Sequence, residues 1–101
     1  MRFWNNSAFE KQIRNLARES ESVRFTFHAQ SRMEQRAITV PMVLECLRRG
    51  VIRRPPEQNI KTGWYECRIE RYAAGKNVAV VAAVVESDPA VIIVTVIDLD
   101  A

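Results

Sequence analysis

The order of apolar and polar positions changes its period halfway along the chain. In residues 8–19, Ala8, Phe9, Ile13, Leu16 and Ala17 recur at helical intervals, and Ser7 with Glu10 has the spacing of a capping box, which predicts an amphipathic helix. Ser20-Glu21-Ser22 breaks it, and residues 23–25 read as a short extended link. Thr26 is placed to cap a second helix over 27–36, in which Ala29 and Met33 form a narrow apolar stripe. Thr39 caps a third: Val40, Val43, Leu44 and Leu47 supply the apolar face, Pro41 is tolerated in the first turn, and Gly50 stops the helix after Arg48-Arg49.

Beyond Gly50 the pattern becomes strand-like. An extended segment begins at 51–53 and must end at Pro55-Pro56, because proline has no N–H to give a ladder. Residues 64–72 alternate, with Tyr65, Cys67, Ile69 and Arg71 on one side and Trp64, Glu66, Arg68, Glu70 and Tyr72 on the other. A turn at 73–76 containing Gly75 leads into 78–85, an unbroken valine- and alanine-rich run expected of a central strand covered on both faces. Ser87-Asp88-Pro89 turns the chain into a last strand over 91–97. Such short links favour antiparallel hairpins. Helices first and strands after predict an α+β domain: two to three N-terminal helices packed on one face of a curved antiparallel sheet of three to four strands. The whole of 1–101 is expected to be a single domain.

Composition narrows the class. At 101 residues the chain can bury only about 60–65% of the surface it exposes when unfolded, enough for one modest core. Its 48% hydrophobic and 27% charged residues are ordinary for a globular protein. No apolar run approaches the roughly 20 residues of a membrane span, and the N-terminus lacks the apolar stretch of a secretory signal, so a cytoplasmic location is expected. Cys46 and Cys67 have neither CxxC spacing nor a nearby histidine, which argues against a metal or redox site and for buried thiols. No cofactor is implied.

Charge is more informative in its distribution than in its net value of +3. Between Arg24 and Arg71 stand ten Lys or Arg against five acids, and arginine outnumbers lysine twelve to three over the chain. Arginine's planar fork suits phosphate and carboxylate. Arg48, Arg49, Arg53 and Arg54 bracket a helix end, where they can grip a backbone phosphate or an acidic partner. Tyr65 and Arg71 share a strand face on which a base can stack while phosphates are held, and Trp64 offers a platform on the other face. Core packing is the plainer explanation of both aromatics.

The only histidine, His28, stands at i with Arg32 and Arg36 at i+4 and i+8, so the three line one edge of the second helix within about 80° of arc. Guanidinium groups close to the ring would keep it neutral. An imidazole beside two cations is the equipment of metal-free RNA cleavage, in which a base takes the 2′-hydroxyl proton and cations stabilise the phosphorane. The plainer alternative is a structural histidine, with the arginines paired to Glu34, Glu66 or Glu70.

The stretch Phe25-Thr26-Phe27-His28-Ala29-Gln30-Ser31-Arg32-Met33-Glu34-Gln35-Arg36-Ala37-Ile38-Thr39 resembles the opening of a bacterial family, domain-of-unknown-function family 4258. The resemblance rests on a His-Ala pair, an Arg-Met pair, a second Arg and an Ile-Ser/Thr helix cap. It continues through an apolar helix ending in Gly, here 43–50, to an Ile-Thr-Val segment matched by Val94-Thr95-Val96. It spans roughly 24–98 and leaves the first helix outside. Ala37 stands where the family usually has glycine, and Ile97 where it often has an aromatic residue. The resemblance implies a fold related to RelE-like and BrnT-like toxin ribonucleases, and by position it points to His28, Arg32 and Arg36, with Tyr65 and Thr95 as further site groups.

Three expectations follow. One is a toxin-like, metal-independent endoribonuclease of a toxin-antitoxin pair, acting on RNA and covered by an acidic antitoxin protein. Another is a non-catalytic basic module that binds nucleic acid or an acidic protein with the same arginines. The last is self-association, a homodimer formed through a sheet edge or helix face.

Overall fold

The computed structural model describes residues 5–85, 87 and 89–101. Three helices, α1 (Asn6–Ala17), α2 (Phe27–Arg36) and α3 (Val40–Arg49), cover one face of a six-stranded sheet. The strands are β1 (Val23–Phe25), β2 (Val51–Ile52), β3 (Glu57–Gln58), β4 (Tyr65–Ala73), β5 (Lys76–Val85) and β6 (Ala90–Asp98). Their order is β1-β6-β5-β4-β2, with β3 also paired to β4. The α+β class stands. The sheet is mixed, however, and larger than the three- to four-stranded antiparallel one expected: Val23, Arg24 and Phe25 form a strand parallel to Val91, Ile92 and Ile93. The long connection through α2, α3 and four strands separates these partners, so no hairpin rule reaches them.

The helix ends follow local chemistry. Thr26 Oγ1 accepts from Ala29 N, 3.0 Å, and Thr39 Oγ1 from Met42 N, 3.3 Å, satisfying first-turn donors of α2 and α3. The first helix starts earlier than its pattern predicts. Its cap is Asn5, whose Oδ1 accepts from Ala8 N at 2.7 Å. Glu10, expected in a capping box, instead accepts from Ile52 N, 2.9 Å, and pairs with Arg14, 3.3 Å, which ties α1 to β2. Gly50 ends α3 as expected, for a packing reason: a Cβ there would stand 2.3 Å from Cys46 O and 2.9 Å from Glu70 O.

Phe9, Ile13 and Ala17 of α1, Ala29 and Met33 of α2, and Val43, Cys46 and Leu47 of α3 join Cys67, Ile69, Val78, Val80, Ala82, Val84, Val91, Ile93 and Val96 in one core. The first helix, although outside the family resemblance, is therefore packed into the same core as the rest. Both cysteines are free and buried, and burial pushes each thiol up to about 12. Residues 53–56, with Pro55-Pro56, interrupt the outer edge of the sheet, so β2 and β3 are two short pieces that pair with the middle and the start of β4 respectively. The turn between β4 and β5 places Ala74 at φ 49° and Gly75 at φ 85°. The turn expected at 87–89 includes Asp88, which lies outside the described residues.

Candidate nucleic-acid interface

The other edge of the sheet is closed by a helix. β1 pairs with the first part of β6, and α2 runs along the rest: Thr26 Oγ1 donates to Ile93 O, 3.0 Å, and Val94 O, 3.2 Å, and Arg36 Nη1 donates to Val96 O. Lys76 Nζ donates to the carbonyls of Arg36, 2.6 Å, and Ala37, 3.3 Å, at the end of α2, where a cation also suits the helix dipole. Arg36 thus blunts an exposed strand edge. Arg32 turns along the helix to Gln35, 3.0 Å. His28 is exposed in the first turn of α2, and its ring makes no hydrogen bond among the described residues. The two guanidinium groups expected beside the ring are engaged elsewhere. Neither pairs with Glu34, Glu66 or Glu70 among the described residues.

Tyr65 and Thr95 do not face a common site. Tyr65 shares its side of β4 with Cys67 and Ile69 and packs against the core, whereas Thr95 is opposite Val81, which is opposite Arg68, on the face without helices. Arg71 lies on Tyr65's side of the strand. Its Nε is buried without a hydrogen-bond partner, and Glu45 Oε2 is 3.8 Å away. The strand face expected to hold a base is therefore the one that packs under the helices. Arg48 is taken up structurally, its Nε donating to Ala17 O at the end of α1, 2.7 Å.

Arg53 and Arg68 meet on the helix-free face, beside the interrupted edge. The register Val51↔Glu70 brings β2 against β4 so that Arg53 Nε lies 3.3 Å from Glu70 Oε1, while Arg68 Nε, two residues along β4, lies 3.1 Å from Glu70 Oε2. One carboxylate thus serves two guanidinium groups, and the cluster keeps a net positive charge. Two grooves flank it. The larger, about 290 Å³, is lined by Arg49, Val51, Arg53, Glu70, Arg71, Tyr72, Asn77 and Leu99. The smaller, about 170 Å³, lies at the strand interruption and is lined by Arg54, Pro55, Glu57, Glu66, Cys67, Arg68 and Val81. Ala79 and Ala83 are fully covered on this face although no helix lies over it, because small side chains sit beneath long neighbours on β4 and β6.

Sequence reasoning underweighted Arg68, Glu70 and Tyr72. The signal was present in the alternation of β4, which puts all three on one face; only the register of β2 brings Arg53 to them.

These features define an α+β domain with a mixed sheet, one face under helices and the other open and lined with arginine. The chain belongs to a family described as a domain of unknown function (DUF4258), whose model matches residues 25–98. No curated protein and no solved structure matches it. No helix among the described residues is long and apolar enough to cross a membrane.

Proposed function

We propose that the protein is a basic module that binds single-stranded RNA across the helix-free face of its sheet. The observation that carries this reading is the cluster of Arg53 and Arg68 around the single carboxylate of Glu70, with Arg49 and Arg54 in the adjoining grooves. Each clustered arginine directs its Nε to Glu70, which holds the guanidinium plane and leaves the terminal nitrogens for an anion. Phosphates recur along RNA, so two grooves flanking one cationic cluster suit a strand better than an isolated anion. Binding to a labelled unstructured oligoribonucleotide, followed by fluorescence anisotropy, tests it. Affinity should fall steeply with salt, and the Arg53→Ala/Arg68→Ala pair should weaken binding at least tenfold and flatten the salt slope by about 1.4. Salt-independent binding, or an unchanged double variant, rules the reading out.

A second reading is favoured by one observation, the exposure of His28 one helical turn from Arg32. It is the toxin-like ribonuclease implied by the resemblance: a RelE-like or BrnT-like fold in the cytoplasm, with an acidic antitoxin protein over its basic face. In that reading His28 moves the proton and Arg32 meets the phosphate. Incubation of the purified protein with RNA separates the two. Intact RNA, or cleavage that survives His28→Ala, excludes this mechanism and leaves the binding module.

A further inference from the structure

Three exposed apolar side chains line the larger groove: Tyr72 is 62% exposed, Val51 47% and Leu99 38%. They come from three separate parts of the chain. Val51 begins β2, Tyr72 lies near the end of β4, and Leu99 follows β6, held in place by its N–H bond to Asn77 O, 2.8 Å. An aromatic ring with aliphatic shoulders offers a flat apolar surface, while Arg49 and Arg53 offer cations at the same groove. Arg53 uses its Nε toward Glu70, and its terminal nitrogens make no hydrogen bond among the described residues. Arg49 is exposed and likewise makes none.

We propose that this groove seats one nucleotide unit, its base stacked on Tyr72 between Val51 and Leu99 and its phosphate held by Arg49 and Arg53. The inference rests on the RNA-binding reading and deepens it by assigning the base site. The groove's volume, about 290 Å³, falls at the lower end of the range for small-ligand sites. Base stacking on an exposed aromatic tolerates any sequence, because every base has a π-face. The two acids near the site are already engaged. Glu70 lies between two guanidinium groups, and Asp100 accepts from Asn77 N, 3.0 Å, and Asn77 Nδ2, 2.9 Å. That second pairing lowers the Asp100 carboxyl below its ordinary range.

A free mononucleotide and a residue within RNA share this chemistry, so both are used as probes: AMP followed by amide chemical shifts, and an unstructured oligoribonucleotide followed by anisotropy. AMP should shift the amides of Tyr72 and Asn77. That response should disappear in Tyr72→Ala and Arg53→Ala and persist in Arg54→Ala, which alters only the other groove. Oligonucleotide affinity should fall roughly tenfold in Tyr72→Ala and be kept in Tyr72→Phe. Far-ultraviolet circular dichroism confirms that each variant is folded. RNA binding that is unchanged in Tyr72→Ala overturns the base site and leaves the RNA-binding reading standing. A parent protein that binds neither probe overturns both. A stable dimer that Tyr72→Ala dissociates, with RNA affinity unaltered, overturns the base site and makes the apolar rim a surface for a second copy of this chain.

Discussion

Two faces of one strand, β4, do opposite work. Cys67, Ile69 and Ala73 point under the helices and are buried, whereas Glu66, Arg68, Glu70 and Tyr72 point to the open side and stay wet. Burial on the first face supplies stability through apolar area and close packing. On the second, exposed ion pairs contribute little to stability, because water and salt screen them. Charge that does not hold the fold together is available for a partner. The adjacent residues Ile69 and Arg68 break this comparison most cleanly. Ile69→Ala, at a fully buried site, should cost about 2–5 kcal/mol in urea unfolding. Arg68→Ala should stay within about 0.5 kcal/mol while weakening RNA binding. Equal stability losses would show that the open face is part of the core.

The helices and the edge strands differ in how much of them the sequence announces. The bounds of α2 were legible residue by residue, since Thr26 and the helical stripe of Ala29 and Met33 act within a few positions of one another. Thr39 and Gly50 made α3 equally plain. By contrast β1 is three residues long, too short for a period, and its partner lies 68 positions away at Val91. β3 is a polar pair, Glu57 and Gln58, with no apolar signal at all. The candidate site has the same character. Its arginines are visible in the composition, but their convergence on Glu70 depends on the β2–β4 register, and the side of β4 that the helices leave open depends on tertiary packing.

The contrast between faces also has a pH signature. Desolvation by burial raises the Cys46 and Cys67 thiols from 9.0 to about 12. The folded state therefore holds these protons more tightly than the unfolded chain does. Their contribution is fully present below pH 9.0 and is lost as pH rises toward about 12, at a slope of roughly 1.4 kcal/mol per pH unit for each thiol. Urea midpoints from pH 8 to pH 10.5 should decline, and Cys67→Ala should flatten the decline. Rapid alkylation of both thiols in the native protein at pH 8 would contradict the burial that causes the shift.

A smaller effect sharpens the comparison at the helix-closed edge. Ala37 ends α2 in the left-handed region, φ 52° and ψ 43°, where its N–H reaches Glu34 O and Ile38 N reaches Met33 O at 2.9 Å. Glycine is the residue best suited to this conformation, because a Cβ crowds the carbonyl there and glycine has none. The surroundings hold the strained alanine in place, since Lys76 binds the carbonyls of Arg36 and Ala37, and Ile38 is buried directly after it. Ala37→Gly relieves about 1 kcal/mol of backbone strain, and the greater freedom of glycine in the unfolded chain offsets part of it. A net gain of about 0.5 kcal/mol in urea unfolding is expected, with RNA affinity unchanged because the position lies away from the arginine cluster. A loss of stability would mean that the cap is set by the contacts of Lys76 and Ile38 rather than limited by the alanine Cβ.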